Sequence, residues 1–145
     1  MDKEVLETLV SWVLVFLPHY NLDSLTSDSF YPDSVPLPTV IERPHTFFVE
    51  NVCGGIEEKC HGVVGWYNNT GVIYIDERVP ESLEDEVLVE EITHYLQDLS
   101  GEYDNNSCKD SIYREEEAHR VKEQYMIEAK SKLPNNNNIR TLCKK

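Results

Sequence analysis

The sequence predicts one α+β domain over residues 1–145, with a small antiparallel or mixed sheet packed on two long helices. The first observation is a hairpin pattern, because two β-branched and aromatic runs, residues 61–67 and 72–76, flank an Asn/Gly connection. The second is a helical repeat of apolar residues in the two segments that follow, residues 83–99 and 111–133. The third is the length of 145 residues, which suits a single hydrophobic core.

The N-terminal segment predicts an amphipathic helix over residues 1–17. Its apolar residues recur at helical spacing and would form the packed face: Val5, Leu6, Leu9, Val10, Val13, Leu14 and Leu17. The acidic start and the lack of a small-residue cleavage site favour a packed helix over a signal peptide or a membrane span. We therefore expect a cytoplasmic protein with no membrane partner.

A loop, a strand and a short helix are predicted before the hairpin. Residues 18–37 are rich in Asp, Ser and Pro and predict a surface loop, anchored by Phe30, Tyr31 and Val35. Residues 38–44 are β-rich with proline at both ends, which is typical of an edge strand. Residues 45–52 predict a short helix with inward side chains at Phe47, Phe48 and Val52.

Two long helices are predicted after the hairpin. The first has Ser82 as its N-cap, covers residues 83–99 and ends near Gly101. Its apolar stripe is Leu88, Ile92, Tyr95, Leu96 and Leu99. The second starts at Ser111 and ends near Leu133, and its inward face is Arg114, Glu117, Ala118, Val121, Tyr125 and Ala129. Residues 134–145 predict a flexible tail.

The charge balance limits the partners. With 27 acidic and 13 basic residues, the chain carries a formal charge of −14, which disfavours direct binding to nucleic acid or anionic membranes. It is compatible with a cation site, or with a protein that imitates a polyanion.

The four cysteines, Cys53, Cys60, Cys108 and Cys143, include no Cys-x-x-Cys pair. Buried thiols are predicted for a cytoplasmic protein of this size, while a Cys53–Cys108 or Cys60–Cys108 bridge stays open for an oxidising compartment.

The helix over residues 83–99 carries the residues that suggest chemistry. Glu90 and His94 lie one turn apart on one face, and Glu91 is adjacent. If Glu117 approaches from the next helix, an imidazole and two carboxylates converge on one cation with a fourth position open, as in a catalytic zinc site. Glu91 would then act as the general base on metal-bound water. The competing interpretation is a solvated acidic helix face, with Glu117 paired to Arg114 or Arg120.

Two runs, Val-Leu-Val-Glu-Glu-Ile-Thr-His-Tyr-Leu-Gln at residues 87–97 and Arg-Glu-Glu-Glu-Ala at residues 114–118, carry a resemblance to a family. Together with the preceding hairpin, they resemble the small zinc metallopeptidases of the zincin superfamily, in the gluzincin-like branch whose third ligand is a glutamate. The resemblance covers about residues 38–126. It implies a Zn²⁺ cofactor, Glu91 as base, His94 as second ligand and Glu117 as third. The first histidine of His-Glu-x-x-His is replaced by Glu90.

This replacement bears on the activity. Two carboxylates and one imidazole cancel the charge of a divalent ion, which weakens its Lewis acidity and favours harder ions such as Mn²⁺ or Mg²⁺. Zinc would then bind weakly or not at all. We therefore expect a peptide-bond hydrolase of the metallopeptidase type or a degenerate, inactivated form of one, acting on a peptide or protein, with Glu90 either natural or introduced. The alternative is a non-enzymatic acidic binding or inhibitor protein that acts through its negative surface, as a nucleic-acid mimic would.

Overall fold

The structure, a computed structural model, describes residues 2–20, 35–101, 103 and 106–130, with the backbone alone at residues 18–20. These residues form an α+β fold of four α-helices and a three-stranded mixed sheet. In chain order the elements are α1 (Lys3–Tyr20), β1 (Thr39–Arg43), α2 (His45–Asn51), a 3-10 turn (Glu57–Cys60), β2 (Gly65–Tyr67), β3 (Val72–Asp76), α3 (Glu81–Ser100) and α4 (Cys108–Lys130). The predicted fold class is confirmed.

The sheet has the strand order β1-β3-β2, with β1 parallel and β2 antiparallel to β3. The predicted hairpin and the predicted edge position of the proline-flanked strand are therefore confirmed. On one face, Ile73 and Ile75 are fully buried in the core that includes α3. On the other, Tyr74 and Trp66 stack on each other, and Phe47 of α2 packs against both rings. Side-chain alternation along β3 thus separates two apolar clusters.

Helix α3 lies at the centre of the larger cluster, in contact with α1, α4 and the sheet. Nearly every side chain from Glu86 to Gln97 is buried, with Glu90 the half-buried exception. A helix covered on several sides buries polar as well as apolar positions, and those polar groups must find partners inside the fold.

Several predicted boundaries and faces are wrong in detail. α3 begins two residues before the predicted helix, with Pro80 and not Ser82 as its N-cap, because a proline at this position ends the preceding extended segment. It ends as predicted at Gly101, whose φ of 66° terminates the helix in the left-handed conformation. α4 begins at Cys108, where the Ser107 hydroxyl accepts the Asp110 N–H in place of a cap at Ser111.

Four side chains predicted to face inward are exposed instead: Val5, Val52, Leu99 and Ala129. Leu99 and Val52, which are 44% and 37% exposed, lie in the last turn of α3 and just after α2, where none of the described helices and strands covers them. α1 extends to Tyr20, past the predicted end at residue 17. The anchors Phe30 and Tyr31 and the tail at residues 134–145 lie outside the described residues, whereas Val35 packs on the core as predicted.

The prediction of buried thiols is also wrong. Cys53 and Cys60 form a disulfide, and Cys108 is disulfide-bonded as well. Gly54 and Gly55 follow Cys53 with φ of 61° and 81°, so the chain turns back sharply enough to bring the two cysteines together. The disulfide packs with Phe48 and Val63 in the smaller cluster beneath α2. In the part of the chain that the structure describes, no helix has both the length and the apolar character needed to span a membrane.

Candidate functional site

The site begins where α3 lies against the edge strand β2. A Cβ atom on Gly65 would lie 2.8 Å from Val87 Cγ1 and 3.1 Å from Glu91 Cγ, closer than side chains tolerate. Glycine is therefore what allows α3 to approach β2 at this point. The approach buries Glu91 between the helix and the strand, with 9% of the residue exposed.

His94 is held between two oxygen atoms. Its Nδ1 lies 2.9 Å from Gln97 Oε1, and its Nε2 lies 3.3 Å from Glu115 Oε1. Gln97 Nε2 donates to the Arg114 carbonyl at 3.0 Å and to Glu117 Oε1 at 2.9 Å, which directs the amide oxygen towards His94. Because both ring nitrogens face acceptors, His94 is an imidazolium that donates from both of them.

The electrostatics of His94 agree with this assignment. Burial alone would lower the pKa of His94, but the hydrogen bond and charge of Glu115, with Glu91 and Glu90 nearby, raise the pKa to about 9. The pKa of Glu91 is raised well above its usual range, because burial disfavours the charged carboxylate. The positive charge of His94 lowers this pKa but offsets the effect of burial only in part. The site thus contains a buried histidine whose pKa is raised beside a carboxyl group whose pKa is raised as well.

The other predicted ligands have different partners. Glu90 pairs with Lys122 of α4, whose Nζ lies 3.3 Å from Glu90 Oε2. Glu117 is 3% exposed and accepts hydrogen bonds from Gln97 Nε2 and, at 3.3 Å, from the Tyr103 hydroxyl. It is connected to His94 through the Gln97 amide, so its function in the fold is to orient Gln97.

The predicted trio of Glu90, His94 and Glu117 therefore lies in one region without converging on one point. Among the residues that the structure describes, no three His, Cys, Asp or Glu side chains are grouped so that they could hold a metal ion. The arrangement does not fit zinc, because both ring nitrogens of His94 already face oxygen acceptors and the Glu90 carboxylate already has an ammonium partner. Zinc binding remains a prediction from the resemblance.

Three residues of the site were not identified from the sequence: Gln97, Glu115 and Lys122. Glu115 is not among the residues predicted for the inward face of its helix, but its carboxylate lies 3.3 Å from His94 Nε2. A signal was available, because Glu115, the fully buried Ala118 and Lys122 are spaced three and four residues apart and share one helix face.

A second polar cluster fixes the end of β3. Asp76 is 1% exposed and accepts a hydrogen bond from His45 Nδ1 at 2.7 Å and from Arg78 Nη2 at 3.0 Å. Burial raises the pKa of Asp76, but Arg78 and His45 outweigh burial and lower it, so the carboxylate stays ionised. His45, which carries no signal in the sequence pattern, thereby joins the start of α2 to the end of β3.

Comparison with known proteins found no matching family model, no matching curated protein and no matching solved structure.

Proposed function

We propose that this protein derives from the zinc metallopeptidases of the zincin superfamily and binds an extended peptide or protein segment without hydrolysing it efficiently. The observation that carries the proposal is the close contact of α3 with the edge strand β2. A Cβ atom built on Gly65 would lie only 3.1 Å from Glu91 Cγ, so the Glu91 side chain lies directly against the strand. The sequence runs at residues 87–97 and 114–118 support the relation to the family.

The outer edge of β2 supplies groups that a peptide can bind. In the antiparallel ladder, Asp76 N–H donates to the Val64 carbonyl at 2.9 Å and Asn68 N–H donates to the Val72 carbonyl at 3.3 Å. Since hydrogen-bonding direction alternates along a strand, the backbone groups of Gly65 and Tyr67 point away from β3. Among the described residues no other strand pairs with this edge. An extended peptide can add there as a fourth strand, beside Glu91.

The same side chains argue against efficient hydrolysis. A general base must accept a proton from the attacking water, and the burial that raises the pKa of Glu91 favours its protonated form, which cannot accept one. His94 and Glu90 are occupied by Glu115 and Lys122, so no described group activates water in their place. Binding without turnover is the function that this chemistry supports best.

The test is a selection of peptides from a random library on the immobilised protein, followed by fluorescence polarisation with the peptides recovered. Strand addition predicts that methylating alternate backbone nitrogens of a bound peptide abolishes binding in one register and has little effect in the other. Mass spectrometry of peptide incubated with protein and zinc should show no cleavage. Failure to recover any peptide, or zinc-dependent turnover that Glu91→Gln removes, would contradict the proposal.

The alternative of an acidic binding or inhibitor protein, such as a nucleic-acid mimic, has less support. Part of the acidic excess is internal, because Asp76, Glu86, Glu91 and Glu117 are buried and cannot contact a partner's surface. Reversing the exposed charges of Glu57 and Glu58 provides a test, since a mimic would lose its partner and a β2 binder would not.

The cytoplasmic location also remains a prediction. The disulfide-bonded cysteines Cys53, Cys60 and Cys108 are more typical of an oxidising compartment, and we propose that the protein functions in one.

A further inference from the structure

We infer that the ammonium group of Lys122 takes the place of the metal ion, so that this chain balances the charge of its altered site with its own side chains. The inference builds on the proposed descent from zinc peptidases and explains what replaced the metal when histidine was exchanged for Glu90. It is tested without any peptide, so its failure and the failure of the peptide-binding proposal are distinguishable.

The geometry supports it. Lys122 extends from α4 across to α3, its Nζ lies 3.3 Å from Glu90 Oε2, and only 15% of its side chain is exposed. A lysine on the solvent face of a helix would instead extend into water.

The charges in the site then balance. Two cations, Lys122 and His94, face two carboxylates, Glu90 and Glu115, each pair in direct contact. A divalent cation brought to this group would meet the Lys122 ammonium beside the Glu90 carboxylate, and at such distances like charges repel strongly in a partly buried site. A histidine in place of Glu90 could not neutralise the lysine, so Glu90 and Lys122 complement each other in charge where a metal ion would otherwise be needed.

A second ion pair of the same kind supplies a matched control. Lys130, also on α4, lies 3.5 Å from Glu86 on α3, and its side chain is 17% exposed, close to the 15% of Lys122. Glu86 lies two helical turns, about 12 Å along the axis, from His94, whereas Glu90 lies one turn away. Either variant takes one ammonium group away from a glutamate of α3, but only Lys122→Met does so beside His94, Glu91 and Glu115.

The experiment compares the native protein, Lys122→Met and Lys130→Met in thermal unfolding with Zn²⁺, Mn²⁺ or a chelator. We expect a metal-dependent rise in melting temperature for Lys122→Met alone, about 5–10 °C at metal concentrations 100-fold above the dissociation constant. Lys122→Arg keeps the positive charge and should behave like the native protein. Equal responses of Lys122→Met and Lys130→Met to metal would overturn the inference.

A second measurement does not depend on whether Lys122→Met folds. Calorimetric titration of the native protein with Zn²⁺ should detect no stoichiometric binding at the site. Zinc binding at one equivalent that His94→Ala abolishes would show that the native site accepts a metal with Lys122 in place, and would overturn the inference on its own.

Discussion

Replacing Gly65 with alanine tests whether the contact between α3 and β2 is as close as the structure describes. The new Cβ would lie 2.8 Å from Val87 Cγ1 and 3.1 Å from Glu91 Cγ. Val87 is 8% exposed and held by the core, so it cannot move aside freely. Overpacking of this kind costs about 1–3 kcal/mol of unfolding free energy, or roughly 2–12 °C in melting temperature.

The assay is urea unfolding followed by circular dichroism, applied to a double-mutant cycle. Val87→Ala alone removes buried methyl groups and should cost about 2 kcal/mol. In the double variant the shortened side chain makes room for the new Cβ, so the combined cost should fall about 1 kcal/mol or more below the sum of the single costs. A cost below about 0.5 kcal/mol for Gly65→Ala, or simple additivity in the cycle, would refute the close approach and with it the position of Glu91 beside β2.

The remaining predictions concern the charges of the site. The folded-state pKa of His94 is raised from 6.5 to about 9, so its contribution to stability is present below pH 6.5 and is lost as the pH rises to 9. The unfolding free energy should fall over that interval, and His94→Gln should reduce its slope by up to about 1.4 kcal/mol per pH unit, leaving the part due to Glu91, whose pKa is also raised; an unchanged slope in that variant would contradict the imidazolium assignment. Glu90→His should restore stoichiometric zinc binding, measured by elemental analysis, only when combined with Lys122→Met. In that double variant Glu115→Gln should abolish zinc binding while Glu117→Gln should not, and the reverse result would restore Glu117 as the third ligand.

The elements of the fold could be predicted because they depend on local patterns. The hairpin follows from its turn residues, and α1, α3 and α4 follow from apolar repeats that match the helical period. Burial of side chains at the ends of helices was predicted less well. Leu99, for example, continues the apolar stripe of α3, but it lies beyond the region that α1, α4 and the sheet cover. The sequence pattern contains no information about where the neighbouring elements stop.

Only part of the site could be predicted, because the rest depends on how neighbouring helices pack. Spacing along one helix places Glu90, Glu91 and His94 correctly, but the register between two antiparallel helices decides which residue of α4 meets His94. Glu115 and Glu117 lie about 160° apart around α4, yet Glu115 contacts His94 and Glu117 contacts Gln97, and apolar periodicity does not show which of the two meets His94. The disulfide was missed for the same reason, since the 5.7 Å separation of the Cys53 and Cys60 Cα atoms results from a turn that spacing alone does not specify.

The parallel pairing of β1 with β3 has a consequence for how the chain folds. β2 and β3 are joined by a four-residue connection and can pair early, whereas β1 reaches β3 only after residues 44–71, which include β2, have been looped out. The addition of β1 is therefore the step with the greatest chain-entropy cost. The Cys53–Cys60 bridge lies within this loop and shortens it before β1 arrives. An oxidised chain should consequently refold faster than a reduced one, because β1 then has a shorter effective loop to close.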